Sequence, residues 1–197
     1  MTTLIKYVFN CFLILLVSPD RLLSQQLSVD ANRVKQAWEK LSQSPNSKEA
    51  QLIYVNTFPD SKKLFMEIFQ PDDFKQLYPD SHKYVDSFAG SAKYYPREVI
   101  GKSVNIGKDL VWEADATGEL QYAIVELGSK YPMLFSNKVK TLSATEIDRL
   151  VKFLSDIENF QAFPEYQRLI DSLNKTGSTS LANKFIKARE LRKKVKE

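Results

Sequence analysis

Residues Trp112 to Leu127, WEADATGELQYAIVEL, decide how this chain is read. Trp112, Ala116, Leu120, Ala123, Ile124 and Leu127 recur at steps of four, four, three, one and three, the spacing of one helix face. The stretch holds one of the two tryptophans, and short amphipathic segments lie on both sides of it, each with a face to cover. It is read as the core helix, stopped by Gly128 and Pro132.

Working outward, Val34, Ala37, Trp38 and Leu41 predict a helix from Ser28 to Gln43, broken by Ser44-Pro45-Asn46. Asn46 with Glu49 three residues on forms a capping box for the next helix. Its expected buried face is Ala50, Ile53, Tyr54, Thr57 and Phe58, and Pro59 ends it. Pro59-Asp60, Pro71-Asp72 and Pro79-Asp80 then open three short units, Pro presetting φ and Asp accepting from free N–H groups. Leu64, Phe65, Ile68 and Phe69 face inward in the first, Phe74, Leu77 and Tyr78 in the second, Tyr84, Val85 and Phe88 in the third. Pro96 begins a helix that ends near Gly107.

Downstream, Ser143-Ala144-Thr145-Glu146 is a second capping box, followed by a stripe of Ile147, Leu150, Val151, Leu154 and Ile157. Pro164 opens a helix with Tyr166, Leu169, Ile170 and Leu173 inward. Thr176-Gly177-Ser178 links it to a last helix bearing Leu181, Phe185, Ala188 and Val195. Sustained apolar–polar alternation and Asn-Gly or Asp-Gly turns are absent from the sequence. The expected fold class is all-α: a single compact multi-helix domain of about eight short helices in all, with the helical domain over 25–175 and a basic helix or tail over 176–197.

The N-terminus carries Lys6 and an 11-residue apolar run from Tyr7 to Val17, interrupted only by Asn10. A spanning helix needs about 20 residues, so the run is read as a secretory signal peptide cleaved near Ser24. Cys11, the only cysteine, lies inside that run, so the exported chain is expected to lack disulfides and thiol chemistry. Net charge is +4, of which the leader holds +1. From Lys184 to Glu197 seven Lys or Arg stand against two Glu, which leaves residues 25–183 at −2. A near-neutral body with a basic end is not a nucleic-acid surface.

The residues Thr57-Phe58-Pro59, Leu77-Tyr78 and Trp112-Glu113-Ala114-Asp115-Ala116, followed by a capped helix with a Phe-rich end, carry a resemblance. Over residues 46–174 their order resembles an uncharacterised group of small exported all-helical proteins of Gram-negative bacteria. The resemblance implies a helical fold and export; it brings no activity, ligand or catalytic residue.

The candidate chemistry is thin. His82 is the only histidine and sits beside Lys83 in the first turn of a helix, where an exposed residue is expected. A triad or a multi-histidine metal site would need more. Gly101-Lys102-Ser103 resembles the end of a phosphate loop, but Pro96 stands where the first glycine belongs. Asp109 and Glu113 share a helix face, as do Asp115 and Glu119, and Trp112, Asp115 and Glu119 make a candidate ligand or structural site. Acids at a helix start are also favoured by the macrodipole, and an in-phase Trp also belongs to a core. Lys184, Lys187, Arg189, Arg192, Lys193 and Lys194 give the last helix a basic face suited to an acidic partner or, more weakly, anionic lipid. Asn174-Lys175-Thr176 matches a glycosylation acceptor, relevant only in a eukaryotic route. The 12 Phe and 9 Tyr, dense over 54–95, supply either core or a partner patch. The expectation is an exported protein acting by protein–protein contact, with no cofactor and no metal. The alternative is a small hydrolase or carbohydrate-binding protein using Trp112, Asp115 and Glu119.

Overall fold

The computed structural model describes residues 27–72, 75–113, 115–157 and 163–196. The expected signal peptide, its cleavage site near Ser24, Cys11 and Phe74 lie outside them. The described residues form ten α-helices and no strand, two more helices than the sequence suggested. They are α1 Val29–Gln43, α2 Lys48–Thr57, α3 Lys62–Phe69, α4 Ser81–Gly90 and α5 Pro96–Gly107. Then come α6 Ala116–Lys130, α7 Pro132–Val139, α8 Ala144–Ser155, α9 Glu165–Lys175 and α10 Thr179–Lys196. None is long and apolar enough to cross a membrane.

Helix α6 is the centre. Ala116, Thr117, Gly118, Leu120, Gln121, Ala123, Ile124, Val125, Leu127 and Gly128 are all buried, so it is covered on nearly every side by α4, α5, α7, α8 and α9. Its bounds differ from the sequence reading at both ends. Trp112 lies before the helix, in non-helical backbone, and is only partly buried against the core. Gly128 does not stop the helix; it lets α9 approach. A Cβ there would meet Leu169 Cδ1 at 2.8 Å and Phe135 Cγ at 3.2 Å. Tyr131 closes α6, and Pro132 opens α7 at its first position.

The aromatic-rich segment faces inward. Tyr54, Phe58, Phe65, Phe69 and Phe88 are all below 2 % exposed. Phe58 stacks on Phe88 with centroids 3.9 Å apart, and on Phe69 at 5.4 Å. At about 1.5–3 kcal/mol for each buried large apolar side chain, this cluster anchors α2, α3 and α4 together, and is not a partner patch. Tyr54 donates to Tyr84 O across it at 2.8 Å. The buried face of α2 is turned slightly from expectation: Gln51, Tyr54 and Val55 are buried while Ile53 is 40 % exposed.

Several caps moved by a residue. Ser47, not Asn46, accepts from Ala50 N, and Ser61, not Asp60, accepts from Leu64 N. Asp80 makes no capping bond; its carboxylate takes Lys83 Nζ at 2.7 Å. In each case a serine or a cation nearer the first turn outcompetes the residue next to the proline. The Ser143–Glu146 box forms as read. Gly101, Lys102 and Ser103 sit inside α5, and Lys102 Nζ donates to Asn56 O and Phe58 O at 2.9 and 2.6 Å, covering the open carbonyl end of α2. Burial lowers the Lys102 pKa from its usual value.

Thr176-Gly177-Ser178 is a tight turn. Ser178 N donates to Leu173 O and Gly177 N to Asn174 O, with Gly177 at φ +78°, the Schellman pattern that needs a residue free of a Cβ. The last helix is therefore no detached tail at its start: Ala182 and Phe185 are fully buried.

Candidate functional site

The residues first singled out around α6 do not line one pocket. Asp115 takes the N-cap position with φ +62° and makes no capping bond of its own; its carboxylate accepts the Tyr78 hydroxyl at 2.6 Å. That bond is the main reason the Tyr78 pKa is raised. Glu119, one turn on from Asp115, lines a groove of about 290 Å³ between α4 and α6 with Asp86, Tyr122, Glu126 and Lys130. Partial burial, then the Asp86 carboxylate and, less, that of Asp115 raise its pKa above the usual 4.5, against the pull of His82. Neither Trp112 nor Asp115 lines that groove. Asp109 and Glu113 share no helix face: Asp109 pairs with Arg149 at 2.8 Å and Glu113 accepts from Gln70 at 2.8 Å. His82 is exposed in the first turn of α4. Among the described residues no three His, Cys, Asp or Glu side chains converge as metal ligands do.

The larger concavity lies elsewhere. A cleft of about 500 Å³ opens between α8 and α10, inside the 300–1,000 Å³ range of ligand sites. From α8 and the residue closing it come Asp148, Val151, Lys152, Ser155 and Asp156; from α10 come Lys184, Lys187, Ala188, Leu191 and Arg192. Both sets follow i, i+3, i+4, i+7, i+8. Each helix thus turns the same two-turn stripe toward the cleft, about 12 Å long at 1.5 Å per residue.

Two ion pairs bracket the stripes. Lys184 meets Asp148 at 2.6 Å, and Arg192 meets Asp156 at 2.5 Å. Eight residues separate the pairs on both helices, so α8 and α10 run parallel, with α9 returning between them in sequence. Tyr166 of α9 fixes the back of the cleft: its buried hydroxyl accepts from Ser155 Oγ at 2.6 Å and donates to Phe185 O at 2.9 Å. Burial pushes that hydroxyl up to about 12, so it stays protonated and able to donate. Gln121 of α6 steadies the end of α8 by donating to Phe153 O at 2.6 Å and Asp156 O at 3.2 Å.

Between the ion pairs, Lys152 and Lys187 are exposed on opposite walls and have no ion-pair partner among the described residues. Val151 and Ala188 form the apolar floor, and Leu191 stands 65 % exposed at the rim. Lys184 also lines an adjoining hollow of about 240 Å³ with Ile147, Leu181 and Lys140. The basic face read from the sequence is thereby divided. Lys184 and Arg192 are bound to acids of α8 or its closing residue, Arg189 bonds Gln167 and Glu190, Lys187 and Lys194 are exposed, and the Lys193 side chain lies outside the described set.

Sequence reasoning had the basic residues of α10 but missed their α8 partners. The signal was present in Asp148, Lys152 and Asp156, on the flank of the α8 apolar stripe, yet only the tertiary fold states which helix faces which. No family model matches this chain, and no curated protein or solved structure is significantly similar to it.

Proposed function

We propose that this is an exported, non-catalytic helical protein that acts in the periplasm or outside the cell by contact with another protein, and that the contact surface is the face formed by α8 and α10. The observation that supports this reading is the pair of matched two-turn stripes enclosing an apolar floor, with Lys152 and Lys187 exposed on either wall and without an ion-pair partner among the described residues. Apolar floor gives affinity, and uncompensated charge around it gives orientation and partner choice. The catalytic alternative has less support, because Asp115 is engaged by Tyr78 and Glu119 opens into a separate groove.

The test is site-specific photo-crosslinking in the native host. A photoreactive residue at Leu191 or Lys187 is expected to give a discrete, salt-sensitive adduct, and the same residue at Lys35 on α1 none. Adducts of equal yield at all three positions, or at none, overturn the reading. Fractionation with N-terminal sequencing tests export: the expected product starts at Gln25 outside the cytoplasm, and a full-length cytoplasmic chain overturns it.

A further inference from the structure

We infer that the occupant of the α8–α10 cleft is an acidic amphipathic helix of a protein partner. The inference rests on the reading of this face as a contact surface and names what fits it. Three observations converge. The cleft is walled by two parallel helices whose lining residues repeat in helical register, so a third helix can seat its own i, i+3, i+4, i+7 stripe along the same direction. Cations without an ion-pair partner among the described residues stand on both walls, Lys152 on α8 and Lys187 on α10, with the apolar floor between them. A helix with carboxylates on both flanks of an apolar ridge answers that arrangement, in the way that flanking charges select partners in coiled coils. A single-chain fatty acid does not answer it, having one charge at one end and leaving the second wall unmatched.

The ends of the cleft agree with this. The Asp148–Lys184 and Asp156–Arg192 pairs are closed within the protein, so they offer a partner no net charge and set the usable length at about two turns. Leu191, exposed at the rim, is placed to become a knob between the turns of an incoming helix.

The experiment uses the chain from Gln25 onward and three labelled peptides of about 15 residues, long enough to hold some helix in water. One carries a leucine stripe flanked by glutamates, the second has lysines in place of those glutamates, and the third scrambles the stripe at constant composition. Fluorescence anisotropy is expected to show the acidic amphipathic peptide binding at least about tenfold more tightly than either control, with affinity falling as salt rises. Lys152→Gln with Lys187→Gln, which removes both exposed charges without setting a new acid beside Asp148 and Asp156, is expected to lower that affinity by about fivefold or more while leaving the thermal unfolding curve unchanged. Leu191→Asp is expected to do the same. Equal binding of the lysine peptide, displacement of the peptide by dodecanoate or by vesicles containing anionic lipid, or a dimer that Leu191→Asp dissociates would each overturn the inference, in favour of a nonspecific apolar site, a lipid site or a second copy of this chain. A salt-sensitive crosslink at Leu191 together with no peptide binding would reject the acidic helix alone; loss of both would reject the contact surface as well.

Discussion

Asp115 and Ser143 each open a helix with a glutamate in its first turn, and they do so by different physics. At Ser143 everything needed is within four residues. Its Oγ accepts from Glu146 N, and Glu146 Oε2 accepts from Ser143 N at 2.8 Å. At Asp115 the capping side chain is turned away to Tyr78, 37 residues earlier, and the backbone sits at φ +62°, ψ −127°, a region that L side chains avoid. The open N–H of Thr117 is met by Gln70 Oε1 at 3.4 Å, and Thr117 Oγ1 donates to Glu113 O at 2.6 Å and accepts from Glu113 N at 3.1 Å. Helix α8 starts by a local code; α6 starts where other parts of the fold hold it.

Disturbing the non-local start is therefore expected to cost more than disturbing the local one. Thr117→Val keeps the shape of a fully buried residue and removes both bonds to Glu113. The expected loss is about 2 kcal/mol, two hydrogen bonds of about 1 kcal/mol each taken from a fully buried side chain, measured by urea unfolding. Ser143→Ala removes one cap and is expected to cost about 1 kcal/mol. Reversal of that order would mean that α6 forms independently of residues 70–78. Strain can be read separately at Asp115. Alanine there keeps the unfavourable backbone and loses the Tyr78 bond, whereas glycine loses the same bond and relieves the backbone. Asp115→Gly is expected to be more stable than Asp115→Ala by about 0.5–1 kcal/mol, strain relief set against the extra unfolded-state entropy of glycine. Two variants of equal stability would remove the strain argument.

The same contrast explains what could be read in advance. Helix α8, the Pro96 start of α5 and the inward stripe of α9 were legible because periodicity and caps are local properties. The start of α6 was not. Trp112 fell in phase with Ala116 and Leu120, and nothing nearby disclosed that Tyr78 and Gln70 would hold Glu113, Asp115 and Thr117 in place. Gly128 failed in the opposite sense: a glycine needed for close approach to Leu169 looks in sequence like a stop. The cleft was half legible. Lys187 stood out in a basic run, but Lys152 looked like an ordinary solvated residue on an amphipathic helix. Only the parallel packing of α8 and α10, pinned by Tyr166, sets the two lysines against each other.

The glutamates of the two starts provide the smallest effect and the sharpest contrast in sign. Glu146 is held down to about 2 by the Lys108 ammonium first and then by the Ser143 backbone and hydroxyl. A carboxyl depressed in the folded state contributes stability that is complete above its unfolded value of 4.5 and is lost as pH falls toward 2. Glu119 is raised, by partial burial and then by Asp86, so its ionised form is disfavoured in the folded state. Its contribution is present below 4.5 and is lost as pH rises through the raised folded value. Urea midpoints from about pH 3 to about pH 7 should therefore separate the two substitutions. Glu146→Gln is expected to lie below the parent at neutral pH, Glu119→Gln at or above it, and both are expected to approach the parent on acidification, from opposite sides. Two curves displaced in the same direction would show that one of these carboxylates does not experience the surroundings described here, and the groove between α4 and α6 would be the first place to look.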